Sequence, residues 1–251
     1  ADKDQLNDRE YYHGLKNYVD SVVYPDFPYS HVYAIKEMVE KIPSDSILHL
    51  SINDSIRITN FFKLNPRIKT YANIGTHGID GCLSSFLGQA AAGNKQSYLV
   101  IGDLAFFYDM NAMRLRHIKN NVHVLLINNE GGSEFYFNHM WKDEASDLHT
   151  TARHHTKAEG WVKSNNFIYL SAHDKESMQE ALKEFMRSDL DKPVFLEVFT
   201  EMKTDSDVIY DFFDLSRPKD VQSETIRRSK EFIKATIGQE KAQKIAGLFK
   251  K

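Results

Sequence analysis

Tyr98-Leu99-Val100-Ile101-Gly102-Asp103-Leu104 and, further on, Val122-His123-Val124-Leu125-Leu126-Ile127-Asn128-Asn129-Glu130-Gly131-Gly132 are the stretches on which the fold turns. Each is a mostly apolar run that stops abruptly in Gly, Asp or Asn. Strands apolar on both faces belong to a sheet covered on both sides, which is the habit of parallel sheets. Asp103 and Asn129 lie 26 residues apart, close to the length of one strand–helix–strand unit. A right-handed crossover of that length sets both loops at the carboxyl edge of neighbouring parallel strands. Open α/β sheets bind their ligands at that edge. One carboxylate, one amide oxygen and a glycine carbonyl are hard oxygen donors, suited to Mg²⁺ or Ca²⁺ and not to Zn²⁺. Gly102, Gly131 and Gly132 let the backbone come close to a phosphate group. A Gly-Asp turn and an Asn-Asn-x-Gly-Gly loop are each ordinary turn chemistry. Together, each ending an apolar strand at one-crossover spacing, they point to a metal-bridged diphosphate site.

Outward from this pair the pattern repeats. Residues 46–50, 167–170 and 194–199 read as further strands, with a helix predicted over 175–186 between the last two. Val32, Ile35, Met38 and Val39 recur at helical spacing before Pro43, residues 82–92 suit a buried helix, and residues 109–118 read as another helix. Strands alternating with helices predict an α/β fold, a parallel sheet with helices on both faces. Residues 1–28 read as a polar lead-in with one helix over about 8–22, residues 29–218 as the binding domain, and residues 219–251 as an amphipathic C-terminal helix. The Gly75-Thr76-His77-Gly78-Ile79-Asp80-Gly81 turn is spaced G-x-x-G-x-x-G, not as the dinucleotide fingerprint G-x-G-x-x-G. A Rossmann dehydrogenase is therefore a lesser reading, although the helix start here could help hold an anion.

Composition narrows the function classes. Over 251 residues, 32 basic and 35 acidic side chains give a net charge of −3. That balance argues against a general nucleic-acid or membrane-surface binder, whose phosphate contacts need a basic excess. No run approaches the length of apolar residues that a membrane span requires. Cys82 is the single cysteine, so no internal disulfide forms and a cytoplasmic setting is expected. The excess of Tyr and Phe, including Phe106, Phe107, Tyr136 and Phe137, reads as core or subunit contact and supports a homo-oligomer.

At these residues the sequence resembles a known family. The Gly102-Asp103 … Asn128-Asn129 pair is similar to the cofactor and metal motif of the thiamine-diphosphate enzymes. GIDG at residues 78–81, GDLAFFYDMNAM at 102–113 and NNEGGSEF at 128–135 look most like the menaquinone-pathway SEPHCHC (2-succinyl-5-enolpyruvyl-6-hydroxy-3-cyclohexene-1-carboxylate) synthase family. The resemblance runs over most of residues 30–199, in the order of the diphosphate-binding (PP) domain. It implies thiamine diphosphate and Mg²⁺ as cofactors. By the same resemblance, Asp103 and Asn129 would bind the metal through their side chains and Gly131 through its carbonyl. Gly102, Leu104, Ala105 and Gly132 would lie along the cofactor, with Asn53 and Ser55 matching more loosely. Ile79 would be the apolar wedge that bends it. Arg57 would clamp a substrate carboxylate, a task suited to a guanidinium fork, with Phe135 packing on the substrate and Glu134 beside it.

The resemblance also implies what is elsewhere. The family activates its cofactor with a glutamate on a separate pyrimidine-binding domain, and nothing in residues 1–28 matches that domain. With Ala1 as its first residue, the chain is expected to be the C-terminal part of a longer enzyme or one subunit of a split one, and inactive alone. No catalytic residue is assigned to it. Two positions depart from the family pattern: Ile74 stands where an arginine is expected, and Glu134 where an aliphatic residue is. Losing a base and gaining an acid both disfavour a strongly anionic substrate. A decarboxylase or carboligase with other substrates, or a non-catalytic cofactor-binding or regulatory module, stays open beside the synthase reading. The partners implied are a 2-oxo acid, an acceptor and a pyrimidine-binding domain or subunit. His149, His154 and His155 fit no strong metal template and read as a solvated or substrate-edge loop, and His77 as a turn residue.

Overall fold

The computed structural model describes residues 9–75, 77–136 and 148–216. The chain divides into two compact units, residues 1–211 and 212–251. Of the second, only the last turn of the final helix falls among the described residues, so the predicted C-terminal helix over 219–251 lies outside them.

The first unit is built on six strands: β1 (Ile47–Leu50), β2 (Lys69–Ala72), β3 (Ser97–Gly102), β4 (Val122–Asn128), β5 (Ile168–Ala172) and β6 (Val194–Phe199). They pair in the order β2-β1-β3-β4-β6-β5, and every pairing is parallel. This is the α/β fold anticipated from the sequence. The helices are α1 (Arg9–Asp20), α2 (His31–Val39), α3 (Asp54–Thr59), α4 (Cys82–Ala91), α5 (Asp103–Asp109), α6 (Ser133–Tyr136), α7 (Glu159–Ser164), α8 (Lys175–Phe185) and α9 (Met202–Ser216).

Alternation along the central strands covers both faces. Leu99, Ile101, Val124 and Leu126 pack with Phe86 and Leu87 of α4, Phe106 of α5 and Val162 of α7. On the opposite face Tyr98 stacks on His123 at 4.5 Å, and both rings meet Phe185 of α8 edge-on. Each fully buried large side chain of this kind contributes about 1.5–3 kcal/mol. Helix starts follow local chemistry. Ser30 caps α2 through Tyr33 N, and Asp174 and Ser177 form a capping box on α8.

The strand before the Gly-rich turn, β2, exposes all four of its residues; an edge strand open to water carries no apolar signature. Two local expectations change. The helix expected over 109–118 begins six residues earlier, as α5, and ends in the 3₁₀ turn Met110–Arg114. Burial of Ala105 and Phe106 against the sheet draws the helix back to the end of β3. The start of α4 does hold an anion, but it is the chain's own: Asp109 Oδ2 accepts from Ser84 N at 2.7 Å and Ser84 Oγ at 2.9 Å.

Candidate cofactor and metal site

The strand order reverses between β1 and β3, and a crevice at such a switch point is where open parallel sheets take ligands. The cleft found there encloses about 640 Å³, its open mouth included. It is lined from the ends of β1, β3 and β4. From the candidate residues it gathers Asn53, Ser55, Ile79, Gly102, Asp103, Leu104, Ala105, Asn129, Gly131, Gly132, Glu134 and Phe135. Arg57 does not line it but pairs with Glu134 at its edge. His77 is outside the lining and takes a left-handed turn conformation with φ 53°.

Asp103 joins the two motifs. Gly102 is the last residue of β3 and Asp103 the first of α5, so no loop separates them. The buried carboxylate accepts from Leu104 N through Oδ1 at 2.6 Å. Through Oδ2 it accepts from Asn129 N at 3.1 Å and Gly131 N at 3.0 Å. Glu130 (φ 66°) and Gly131 (φ 146°) turn the chain back after β4 to make those contacts.

The two asparagines have different tasks. Asn128 points inward: its Nδ2 donates to Thr156 O at 2.9 Å and to Glu197 Oε1 at 2.7 Å. Asn129 donates from Nδ2 to Asp205 Oδ2 at 2.9 Å. That bond sets the nitrogen of the amide against Asp205, so Oδ1 is the amide atom turned away from that carboxylate. On the β1 side Asn53 holds φ 61° just ahead of α3, a backbone region that asparagine tolerates better than most residues. Ser55 is buried, and its carbonyl accepts from Thr59 Oγ1 at 2.7 Å.

Behind the cleft lies a buried polar network without a counterpart in the sequence reading. Asp205 Oδ1 accepts from His31 N at 2.8 Å, and Oδ2 accepts from Thr200 Oγ1 at 2.6 Å. The His31 ring lies between carboxylates, with Nδ1 3.4 Å from Asp205 and Nε2 3.7 Å from Asp54. Burial opposes a charged ring at His31, but Asp205 and Asp54 outweigh it and hold its pKa above the ordinary histidine value. Burial alone would raise the pKa of Asp54, yet His31, Ser133 and Arg57 bring it below the usual carboxylate value. Glu197, fully buried in β6, accepts from Ala158 N and Tyr169 Oη besides Asn128.

Of the three histidines read as a loop, His154 comes into the site: Nε2 lies 3.4 Å from Asp103 Oδ2 and the ring meets Phe107 edge-on. The contact with Asp103 holds its pKa above the ordinary value, against burial. His155 is exposed beside Glu130, and His149 is exposed. Among the described residues no group of three His, Cys, Asp or Glu side chains is arranged to hold a metal ion, so a cation here would need the amide and carbonyl oxygens as well. No helix among them is long and apolar enough to cross a membrane.

A six-stranded parallel α/β sheet with this cleft at its switch point is consistent with the PP class of thiamine-diphosphate-binding domains. Comparison with known proteins gives the particular relationship: the chain is related by sequence to the menaquinone-pathway SEPHCHC synthases. It is 35% identical over 206 residues to the 2-succinyl-5-enolpyruvyl-6-hydroxy-3-cyclohexene-1-carboxylate synthase of Bacteroides fragilis, covering 81% of this chain and 37% of that protein. The enzyme of the same name from Phocaeicola vulgatus is 35% identical over 200 residues, 79% of this chain and 36% of its own length. That of Staphylococcus haemolyticus is 36% identical over 104 residues, 41% of this chain and 18% of its own. The match thus spans little more than a third of the first two relatives. No protein-family model matches the chain.

Proposed function

We propose that this chain provides the diphosphate- and Mg²⁺-binding half of a thiamine-diphosphate-dependent decarboxylase or carboligase of the SEPHCHC synthase type, acting in menaquinone biosynthesis. The observation that carries the reading is the meeting of Gly102-Asp103 and Asn129-Glu130-Gly131 around one carboxylate in the switch-point cleft. The donor set fits the cation: the Asp103 carboxylate, the Asn129 amide oxygen and the Gly131 carbonyl are hard oxygen ligands of the kind Mg²⁺ takes beside phosphate. The backbone fits the diphosphate. A Cβ added at Gly102 would meet no atom within 4 Å, so packing does not require glycine there, and the space at the strand end is open to a diphosphate.

In this reading Asp103, Asn129 and Gly131 hold the metal. Gly102, Leu104, Ala105 and Gly132 lie along the diphosphate, with Asn53 and Ser55 opposite. Ile79 supports the bent cofactor, and Arg57, Glu134 and Phe135 face the substrate. When bound, thiamine diphosphate supplies the nucleophilic carbon and electron sink for decarboxylating a 2-oxo acid and passing the acyl unit to an acceptor. The chain's own residues bind, orient and shield from water. Asp205 and His31 act one step back by fixing the Asn129 amide. The activating glutamate would come from a pyrimidine-binding domain or subunit, in a cytoplasmic homo-oligomer. The Arg57–Glu134 pair favours a substrate other than the synthase's own as a second reading.

Calorimetry on the 251-residue chain tests this. Thiamine diphosphate should bind only with Mg²⁺, and Asp103→Ala should weaken binding by at least about tenfold, the loss of one metal ligand. Unchanged affinity in the variant places the metal elsewhere, and NAD binding without metal dependence turns the reading toward a dehydrogenase.

A further inference from the structure

Glu134 and Arg57 meet at the rim of the cleft. Glu134 is the second residue of the short α6 and lines the cleft, and its Oε1 pairs with Arg57 Nη1 from α3. The other oxygen, Oε2, is buried and has no hydrogen-bond partner among the described residues. Asp54 is nearby: its Oδ2 accepts at 2.8 Å from the hydroxyl of Ser133, the residue before Glu134. This corner therefore holds two carboxylates and a guanidinium already engaged by one of them. An incoming carboxylate competes with Glu134 for the Arg57 fork, and it meets like charge from Glu134 and Asp54. Juxtaposed like charges are a strong means of rejecting a partner. A neutral hydroxyl has the opposite balance, because it carries no charge for Glu134 and Asp54 to repel and leaves the ion pair intact.

We propose that Glu134 is a specificity-determining residue. It occupies Arg57 and selects, at this corner of the cleft, an uncharged polar group over a carboxylate. The inference deepens the cofactor reading above and rests on it.

The probe is succinate, a small dicarboxylate, titrated by calorimetry into the 251-residue chain saturated with thiamine diphosphate and Mg²⁺. Glu134→Gln keeps shape and removes the charge. It should bind succinate at least about tenfold more tightly than the unaltered chain, the effect of freeing one guanidinium from its competitor. Adding Arg57→Ala to Glu134→Gln should abolish the gain. Equal succinate affinity with and without Glu134→Gln, including no binding by either, overturns the proposal while cofactor binding stands. Failure of thiamine diphosphate to bind in the first titration overturns the cofactor reading instead, separately from the succinate comparison repeated without cofactor.

Discussion

Replacing Gly131 by alanine should damage the fold and the site together. Its φ of 146° lies where L side chains are strained, and the added Cβ would sit 2.6 Å from Thr151 O and 2.9 Å from Met202 Cε. The methionine tip can move. Thr151 O cannot move freely, because it also accepts from Gly132 N at 2.7 Å. Backbone strain of this kind costs about 1–3 kcal/mol and overlap in a packed region about 1–3 kcal/mol, so the loss is about 2–6 kcal/mol. That is a large share of the roughly 5–15 kcal/mol that holds a domain folded. Urea denaturation followed by far-ultraviolet circular dichroism reads it as a lower midpoint at unchanged slope. Gly102→Ala is the matched comparison: with nothing within 4 Å of its Cβ, stability should stay within about 0.5 kcal/mol while cofactor affinity drops. If Gly131→Ala unfolds at the same urea concentration as the unaltered chain, the argument from φ and contact distance is wrong.

Asp205→Ala removes the acceptor of Asn129 Nδ2, Thr200 Oγ1 and His31 N. Leaving those groups unmatched should cost about 3–5 kcal/mol and weaken Mg²⁺-dependent cofactor binding, as read by urea titration and calorimetry; full retention of both would show that Asp205 does not fix Asn129. His123 is fully buried, donates from Nδ1 to Phe185 O at 2.7 Å, sets Nε2 against the Gln96 side-chain amide, and has its pKa pushed down to about 4 by burial. Unfolded histidine titrates near 6.5, so the unfolded chain binds the extra proton between these values. Stability from the neutral ring is complete above about pH 6.5 and falls by about 3 kcal/mol as pH drops to about 4. His123→Gln should flatten that part of the stability profile, and an unaltered slope would remove His123 from the account.

Much of the fold was legible because the central strands are apolar throughout. β3, β4 and β6 each bury nearly every residue, and such runs end sharply where the chain meets a ligand edge. The Gly102-Asp103 and Asn129-Glu130-Gly131 segments were legible for the same reason: the turn residues interrupt those runs. β2 was not, since its register with β1 is held by backbone bonds and its side chains face water. The network behind the cleft was hidden by distance along the chain. His31 and Asp205 are 174 residues apart and belong to no local pattern. Glu197 did carry a signal, as the one charged residue within the strand Val194–Phe199. A carboxylate in that setting must find buried donors, and here they are Asn128, Ala158 and Tyr169. Arg57 and Glu134 were each noted in the sequence, but their pairing depends on how α3 and α6 are brought to the same rim.

The direct passage from β3 into α5 also makes this junction a fixed ruler for the chain. One residue inserted between Gly102 and Asp103 would turn the helix by about 100°. Asp103 would rotate away from the amides of Asn129 and Gly131, and Phe106 would leave its place beside Phe195. A single insertion there would therefore disturb chemistry and core at once, whereas the exposed turn at Asn94 and Lys95 has room for added length. The reading frame of the fold is thus kept most strictly at the point where the candidate site begins.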